Sequence, residues 1–373
     1  MKNSWVLSAT GLALAMAGLS GCGGDNSSAG NGASGGGASN TAASGGEGGE
    51  GSGASSGGAK AIRGAGATFP APLYSRWFDA YESAKGVRVD YQAVGSGAGI
   101  KQLSNKTVDF GASDAPLGSK DLAGLPAPVV TIPTVGGAVV LAYNLPGAPQ
   151  NLKMTGEAVA DIFLGKITTW NDPAIAAANP GVTLPATKIT TAHRSDGSGT
   201  TNIFTNYLAA VSSEWKTKVG AGKSVDWPSG IGGKGNDGVA SSIKRLPGGI
   251  GYVELAYAKQ NKLPYASVKN QSGQFVAPDV AGVTAAAEGS LAAVQKDVTA
   301  PIANAAGAKA YPISGFTYIM VYKSAADPAK GQAVKDFLKW AMTEGQKTAA
   351  AQDYAPLPSA LVALNQKTID TLK

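Results

Sequence analysis

The chain has 373 residues, enough for two domains of ordinary size with proper cores. One cysteine, Cys22, and one histidine, His193, exclude an internal disulfide framework, a cysteine-built metal site and any two-histidine mechanism. The net charge of +6 comes from scattered lysines and arginines, with no basic run and no aromatic interleaving, so nucleic acid is not indicated as a partner.

Residues 1–21 read as an export signal. Met1-Lys2-Asn3 is a short basic start, and Trp5 to Leu19 is an apolar stretch too short for a comfortable transmembrane span. Leu19-Ser20-Gly21-Cys22 matches a bacterial lipobox, which implies cleavage before Cys22 and a diacylglyceryl group on its sulfur. The net charge then falls to +5 with the loss of Lys2. From Gly23 to Ala59 the chain is almost wholly Gly, Ser, Ala and Asn, too poor in apolar surface to offset its ordering entropy. Residues 22–59 are therefore expected to be a lipidated tether with a root-mean-square reach of roughly 35 Å.

In the globular part, Ala61 to Ala67 predicts a strand leading into Thr68-Phe69-Pro70, where Thr68 or Phe69 would cap a helix and Pro70 suits its first turn. Leu73, Trp77, Tyr81 and Ala84 mark the buried face of that helix. Val87, Val89 and Tyr91 alternate with polar residues as a half-buried strand, followed by a turn at Ser96 and a helix carrying Ile100 and Leu103. Val108 to Ser113 predicts a third strand, ending at Asp114 in a tight turn before a proline. Val135 to Tyr143 is an apolar run typical of a strand covered on both faces. A helix begins at Thr155, with Val159, Ile162 and Phe163 inward. Lys188 to Ala192, Ile250 to Ala256 and Thr317 to Tyr322 predict further strands, and Val334, Phe337, Leu338 and Ala341 a late helix. Alternating strands and helices argue an α/β fold with mainly parallel sheets.

The chemistry concentrates in strand-to-helix turns. Ser198 sits where an N-cap hydroxyl belongs, ahead of a helix starting near Gly199 with Ile203, Phe204, Tyr207, Leu208 and Val211 inward. Such a start leaves unpaired N–H groups and a positive dipole end, and Arg194 adds a fork of donors. These residues suit either an ordinary capped helix with a solvated arginine or an anion seat. Similar turns lie at Thr68 and Ser96, and in open α/β sheets ligands bind beyond the carboxyl ends of the strands. Asp114 is either an Asx-turn residue satisfying its own backbone or an acceptor for a proton the ligand carries. Hydrogen phosphate has such a proton at neutral pH and sulfate has none. A site built for a ligand O–H rejects the analogue lacking it by about 10⁴–10⁵.

Gly64-Ala65-Gly66-Ala67-Thr68-Phe69-Pro70-Ala71-Pro72, Asp109-Phe110-Gly111-Ala112-Ser113-Asp114-Ala115-Pro116, Asp196-Gly197-Ser198-Gly199-Thr200, Gly232-Gly233-Lys234-Gly235-Asn236-Asp237-Gly238 and Gly251-Tyr252-Val253-Glu254 occur in that order. Together they resemble the PstS family, the substrate-binding proteins of phosphate-specific ABC importers, over roughly Ile62 to Leu357. The resemblance implies a type II periplasmic binding protein fold: two α/β lobes, residues 60–144 with 313–373 and residues 145–312, joined by two crossing strands. It implies phosphate contacts at Thr68, Phe69, Ser96, Asp114, Arg194, Ser198, Gly199 and Thr200, with Asp196 holding the Arg194 fork and Gly97 beside Ser96. It also implies delivery of phosphate to a membrane permease, with no cofactor and no metal. Gly97 stands where relatives have a second serine, Ser195 where an alanine is familiar, and His193 where a basic residue often precedes the arginine.

Other signals lead elsewhere. Gly233 to Gly238 fits G-x-G-x-x-G, but no strand pattern runs directly into it. Gly222-Lys223-Ser224 echoes a phosphate loop, yet Thr217 occupies its first glycine position. Asp196 likewise spoils a G-x-S-x-G nucleophile elbow around Ser198. A phosphatase using the same pocket, or a receptor for another oxyanion such as arsenate or molybdate, are the alternatives. Hydrolysis needs an activated nucleophile or metals with carboxylate and histidine ligands, and one histidine with no carboxylate cluster near the motif argues against it.

Overall fold

Two long strands run through the middle of the main sheet and set its plan. The computed structural model describes residues 58–373, so the signal, lipobox and most of the tether lie outside the described residues. In chain order the elements begin with β1 (Ala61–Gly66), α1 (Ala71–Lys85), β2 (Arg88–Ala93), α2 (Ser96–Ser104), β3 (Phe110–Ser113), α3 (Ser119–Ala123) and β4 (Val129–Asn144). Next come β5 (Lys153–Met154), α4 (Gly156–Phe163), α5 (Pro173–Ala176), β6 (Thr190–Arg194), α6 (Gly199–Val211), α7 (Ser213–Lys218), β7 (Ile231–Gly233), α8 (Gly235–Arg245), β8 (Gly249–Glu254) and α9 (Leu255–Gln260). The chain finishes through β9 (Ser267–Lys269), β10 (Phe275–Val276), α10 (Val280–Gly289), α11 (Leu291–Lys296), β11 (Ser314–Tyr322), α12 (Pro328–Trp340), α13 (Gln346–Ala349) and α14 (Ser359–Asp370).

The eight-stranded sheet has the order β2-β1-β3-β11-β4-β8-β6-β7, and β10-β9-β5 form a small second sheet. Its flanks are parallel, β1 with β2 and β3, and β6 with β7 and β8. The centre is antiparallel, where β11 pairs with β3 and β4, and β4 with β8. The sheet is thus mixed rather than mainly parallel. The reason is the length of β4: residues 129–138 pair with β11, and residues 139–144 pair with β8. One strand serves both flanks, and its run from Ile132 to Tyr143 is buried throughout, as the unbroken apolar pattern predicts.

Leu73, Trp77 and Tyr81 bury one face of α1, and the rings of Trp77 and Tyr81 join Phe78, Phe110, Phe337 and Trp340 in one aromatic cluster. Ala84 is exposed, because the core-facing stripe ends a turn before the left-handed Gly86 closes the helix. Pro70, not Thr68 or Phe69, takes the cap position of α1, and no side chain caps it. The Thr68 hydroxyl is committed elsewhere. Thr155 caps α4 through the Ala158 N–H, and Ser198 caps α6 through the Thr201 N–H at 3.1 Å, both as expected.

Candidate functional site

The carboxyl ends of β1, β3, β6 and β8 and the starts of α2, α6 and α8 come together. Arg194, the last residue of β6, is buried, and its backbone N–H donates to the Tyr252 hydroxyl at 3.0 Å. Its Nε and Nη2 donate to the two Asp196 oxygens at 2.8 and 2.5 Å, a two-point fork that fixes the guanidinium plane. Burial works against charge on Asp196, but Arg194 and the Gly235 N–H outweigh it and hold the carboxyl below its ordinary range.

Four hydroxyls around this arginine already accept from N–H donors. Ser96 Oγ takes the Gly199 N–H at 2.9 Å, and Ser198 Oγ takes that of Thr201. Thr68 Oγ1 accepts from Asn236 Nδ2 at 2.8 Å and from the Asn236 N–H at 3.2 Å. Thr200 Oγ1 accepts from Asn236 Nδ2 at 3.2 Å and from Arg194 Nη1 at 3.4 Å. A hydroxyl whose lone pairs are engaged keeps one proton to donate. All four are buried, so the cluster is an array of donors around one cation and one helix start.

Asp114 brings a carboxyl acceptor to the same cluster. Its Oδ1 accepts from the Thr317 hydroxyl at 2.8 Å, while Oδ2 is buried with no hydrogen-bond partner among the described residues. Burial pushes its pKa up to about 7, against the opposing pull of Thr317, Arg194 and the Thr200 N–H. Asp114 also packs on the first residue of α6: a Cβ on Gly199 would lie 2.5 Å from the Asp114 amide nitrogen. Only glycine lets helix and carboxyl approach so closely. Donors from many sides, with one unpartnered buried acceptor, suit a small oxyanion that carries a proton.

Residues 41–344 match the PBP superfamily domain. A phosphate-binding protein PstS of Xylella fastidiosa strain 9a5c is 50% identical over 302 residues, covering 81% of this chain and 82% of that protein. That of Pasteurella multocida strain Pm70 is 46% identical over 304 residues, 81% of this chain and 88% of its own. The chain belongs to the PstS family of phosphate-binding proteins. Among solved structures, the phosphate-bound periplasmic phosphate-binding protein PfluDING superposes with a TM-score of 0.65 at 24% identity, covering 82% of this chain and 93% of its own. A phosphate-binding protein from Stenotrophomonas maltophilia does so with a TM-score of 0.64 at 21%, with the same coverage. These likenesses bear on the fold, which is the type II periplasmic binding protein fold.

The PstS family is one of binding proteins, not enzymes, and the phosphatase reading is not favoured. His193 stacks on Trp227, with ring centroids 4.9 Å apart, and its Nδ1 lies 3.0 Å from the Arg194 carbonyl, so the ring is engaged in packing. Among the described residues no three His, Cys, Asp or Glu side chains gather in a group that could hold a metal ion.

All eight residues expected in the PstS-type site lie on the loops just described. Phe69 offers only its main chain, since its ring is buried edge-on against Tyr354. Gly97 sits where the loops touch: its N–H donates to the Gly197 carbonyl at 2.9 Å, and a Cβ there would stand 3.2 Å from Gly197 Cα. Sequence reasoning missed Asn236 and Thr317, which aim Thr68, Thr200 and Asp114. It also missed Tyr257 and Tyr354, which donate to the Thr68 and Phe69 carbonyls at 2.5 and 2.7 Å. The Gly232-to-Gly238 motif contains Asn236, but nothing in its spacing points to a partner 168 residues away.

Proposed function

We propose that the chain captures inorganic phosphate between two lobes and delivers it to the membrane permease of a phosphate ABC importer, tethered to the membrane by lipid on Cys22. The lobes are residues 60–144 with 313–373 and residues 145–312, and the chain passes between them after β4 and again before β11. Thr68, Ser96, Ser198 and Thr200 donate through hydroxyls, Phe69 lends its main chain, Gly199 borders the anion with its N–H held by Ser96, and Arg194 supplies charge. Asp114 accepts the phosphate proton. The reading rests above all on the buried Asp114 oxygen, which has no hydrogen-bond partner among the described residues and lies amid donors, since a ligand that brings hydrogen gives that acceptor the bond it lacks. The names of the relatives point to the same ligand. Charge-assisted bonds of about 1.5–3 kcal/mol each, less desolvation and closure costs, reach the roughly −8 kcal/mol of micromolar binding or better.

Calorimetry with phosphate, arsenate, sulfate and molybdate tests the ligand class. Phosphate should bind and arsenate, also protonated at neutral pH, should compete, whereas sulfate should give no heat at matched concentrations. Sulfate binding as tightly as phosphate would overturn the reading. The anchor is tested separately by mass spectrometry of the mature N-terminus, where an unmodified Cys22 would remove it.

A further inference from the structure

The motif Gly251-Tyr252-Val253-Glu254 ends in a carboxyl that the anion contacts leave unused. Glu254 is fully buried at the end of β8. Its Oε2 accepts from the Ala256 N–H at 2.9 Å and lies 2.9 Å from the Tyr354 hydroxyl, while Oε1 is buried with no partner among the described residues. The Tyr354 hydroxyl also lies 2.7 Å from the Phe69 carbonyl. A phenol has one proton and a carbonyl only accepts. If Tyr354 donates to Phe69, its contact with Glu254 is a hydrogen bond only when Glu254 brings a proton of its own. An ionised Glu254 would instead claim the phenol proton through the stronger charge-assisted bond, leaving the Phe69 carbonyl against oxygen lone pairs.

The surroundings favour the neutral form. Asp353, from the turn after α13, and Asp114, from the end of β3, both act on Glu254 with negative charge, and Tyr354 and Tyr257 are its phenolic neighbours. Lys259 on α9 is committed to Asp353 at 2.5 Å. Burial pushes the Glu254 carboxyl well above its ordinary range. An orphaned Oε1 costs far less as half of a neutral acid than as half of a carboxylate.

We infer that Glu254 is a neutral carboxylic acid that donates to Tyr354, freeing the Tyr354 proton for the Phe69 carbonyl and so positioning the Thr68–Phe69 loop against the anion. Tyr257 completes the arrangement. It holds the Thr68 carbonyl, and in a planar trans peptide that turns the Phe69 N–H the opposite way. Glu254 and the two tyrosines thus pin two successive peptide planes.

The functional arm of the test rests on the phosphate reading; the spectroscopic arm does not. Infrared difference spectra of the full chain against Glu254→Gln at neutral pH should show a protonated-carboxyl band lost in the variant. A lost carboxylate band instead would overturn the inference. In phosphate calorimetry Tyr354→Phe, which removes the proton that the Phe69 carbonyl accepts, should bind roughly tenfold more weakly, and so should Glu254→Met, which can neither donate to Tyr354 nor accept from the Ala256 N–H. Unchanged affinity in either variant would overturn the positioning role. If the unaltered chain gave no phosphate heat, the ligand reading would fail while the infrared band still decided Glu254.

Discussion

The Gly199 amide donates to the Ser96 hydroxyl at 2.9 Å, tying the first turn of α6 to a loop 103 residues earlier in the chain. The Asp114 N–H approaches the same oxygen at 3.4 Å. One hydroxyl therefore gathers main-chain donors from the start of α6 and the end of β3. With its lone pairs engaged, its proton is left for an acceptor outside the protein.

Ser96→Ala removes that proton and strands the Gly199 donor together. Losing one hydrogen bond to a charged ligand should weaken phosphate binding about 10- to 150-fold. Calorimetry on the folded variant checks this, and an unchanged affinity would reduce Ser96 to a link between loops.

Asp114→Asn replaces an acceptor by a group that can also donate. Sulfate, which has no proton to give, should gain relative to phosphate, with the selectivity ratio falling by at least about a hundredfold from a starting ratio of about 10⁴–10⁵. Competition between the two anions in the variant measures the ratio. The same ratio in both proteins would remove Asp114 from its proton-sensing role.

The same carboxyl makes stability depend on pH. Its folded pKa lies above the ordinary carboxylate value, at about 7 instead of 3.8, so the folded chain binds the proton more tightly than the unfolded one. The stabilisation is fully present below the lower value and is lost as pH rises through the upper one. Glu254, shifted in the same direction, adds to the trend. With phosphate removed, Asp114→Asn should match the unaltered chain near pH 4 and exceed it near pH 8, by up to about 4 kcal/mol. Urea unfolding at both ends of that window gives the comparison. An equal gap at both ends would mean that Asp114 titrates normally.

Much of this site is legible in the amino-acid order because its parts are local. Ser198 capping α6, Arg194 two residues before its Asp196 partner, and Asp114 at the close of a short strand are each written within a few positions. Family resemblance then places Thr68, Phe69 and Ser96 with them. What supports these groups is not local. Thr317 reaches Asp114 across 203 residues and Tyr354 reaches Phe69 across 285, and no periodicity announces such pairs. The cap expected from Thr68 fails for the same reason, since its hydroxyl is claimed by Asn236 from the far flank of the sheet. The antiparallel centre was hidden likewise: an apolar run shows that β4 is buried, but not that its two ends pair with different neighbours.

Arg194→Lys separates charge from geometry. Lysine keeps the positive charge but offers a point donor where the guanidinium makes a planar fork on Asp196 and still reaches Thr200. Asp196 would then be half-buried beside the anion without its two-point partner, free to repel it. Phosphate affinity should fall by about a hundredfold or more, of the order expected for losing a charge-assisted bond and unpairing a carboxylate. Asp196→Asn in the lysine background should recover part of the loss, because it removes the stranded charge. Calorimetry on the single and double variants decides it, since a double variant no better than Arg194→Lys alone would mean that Asp196 does not act through the arginine.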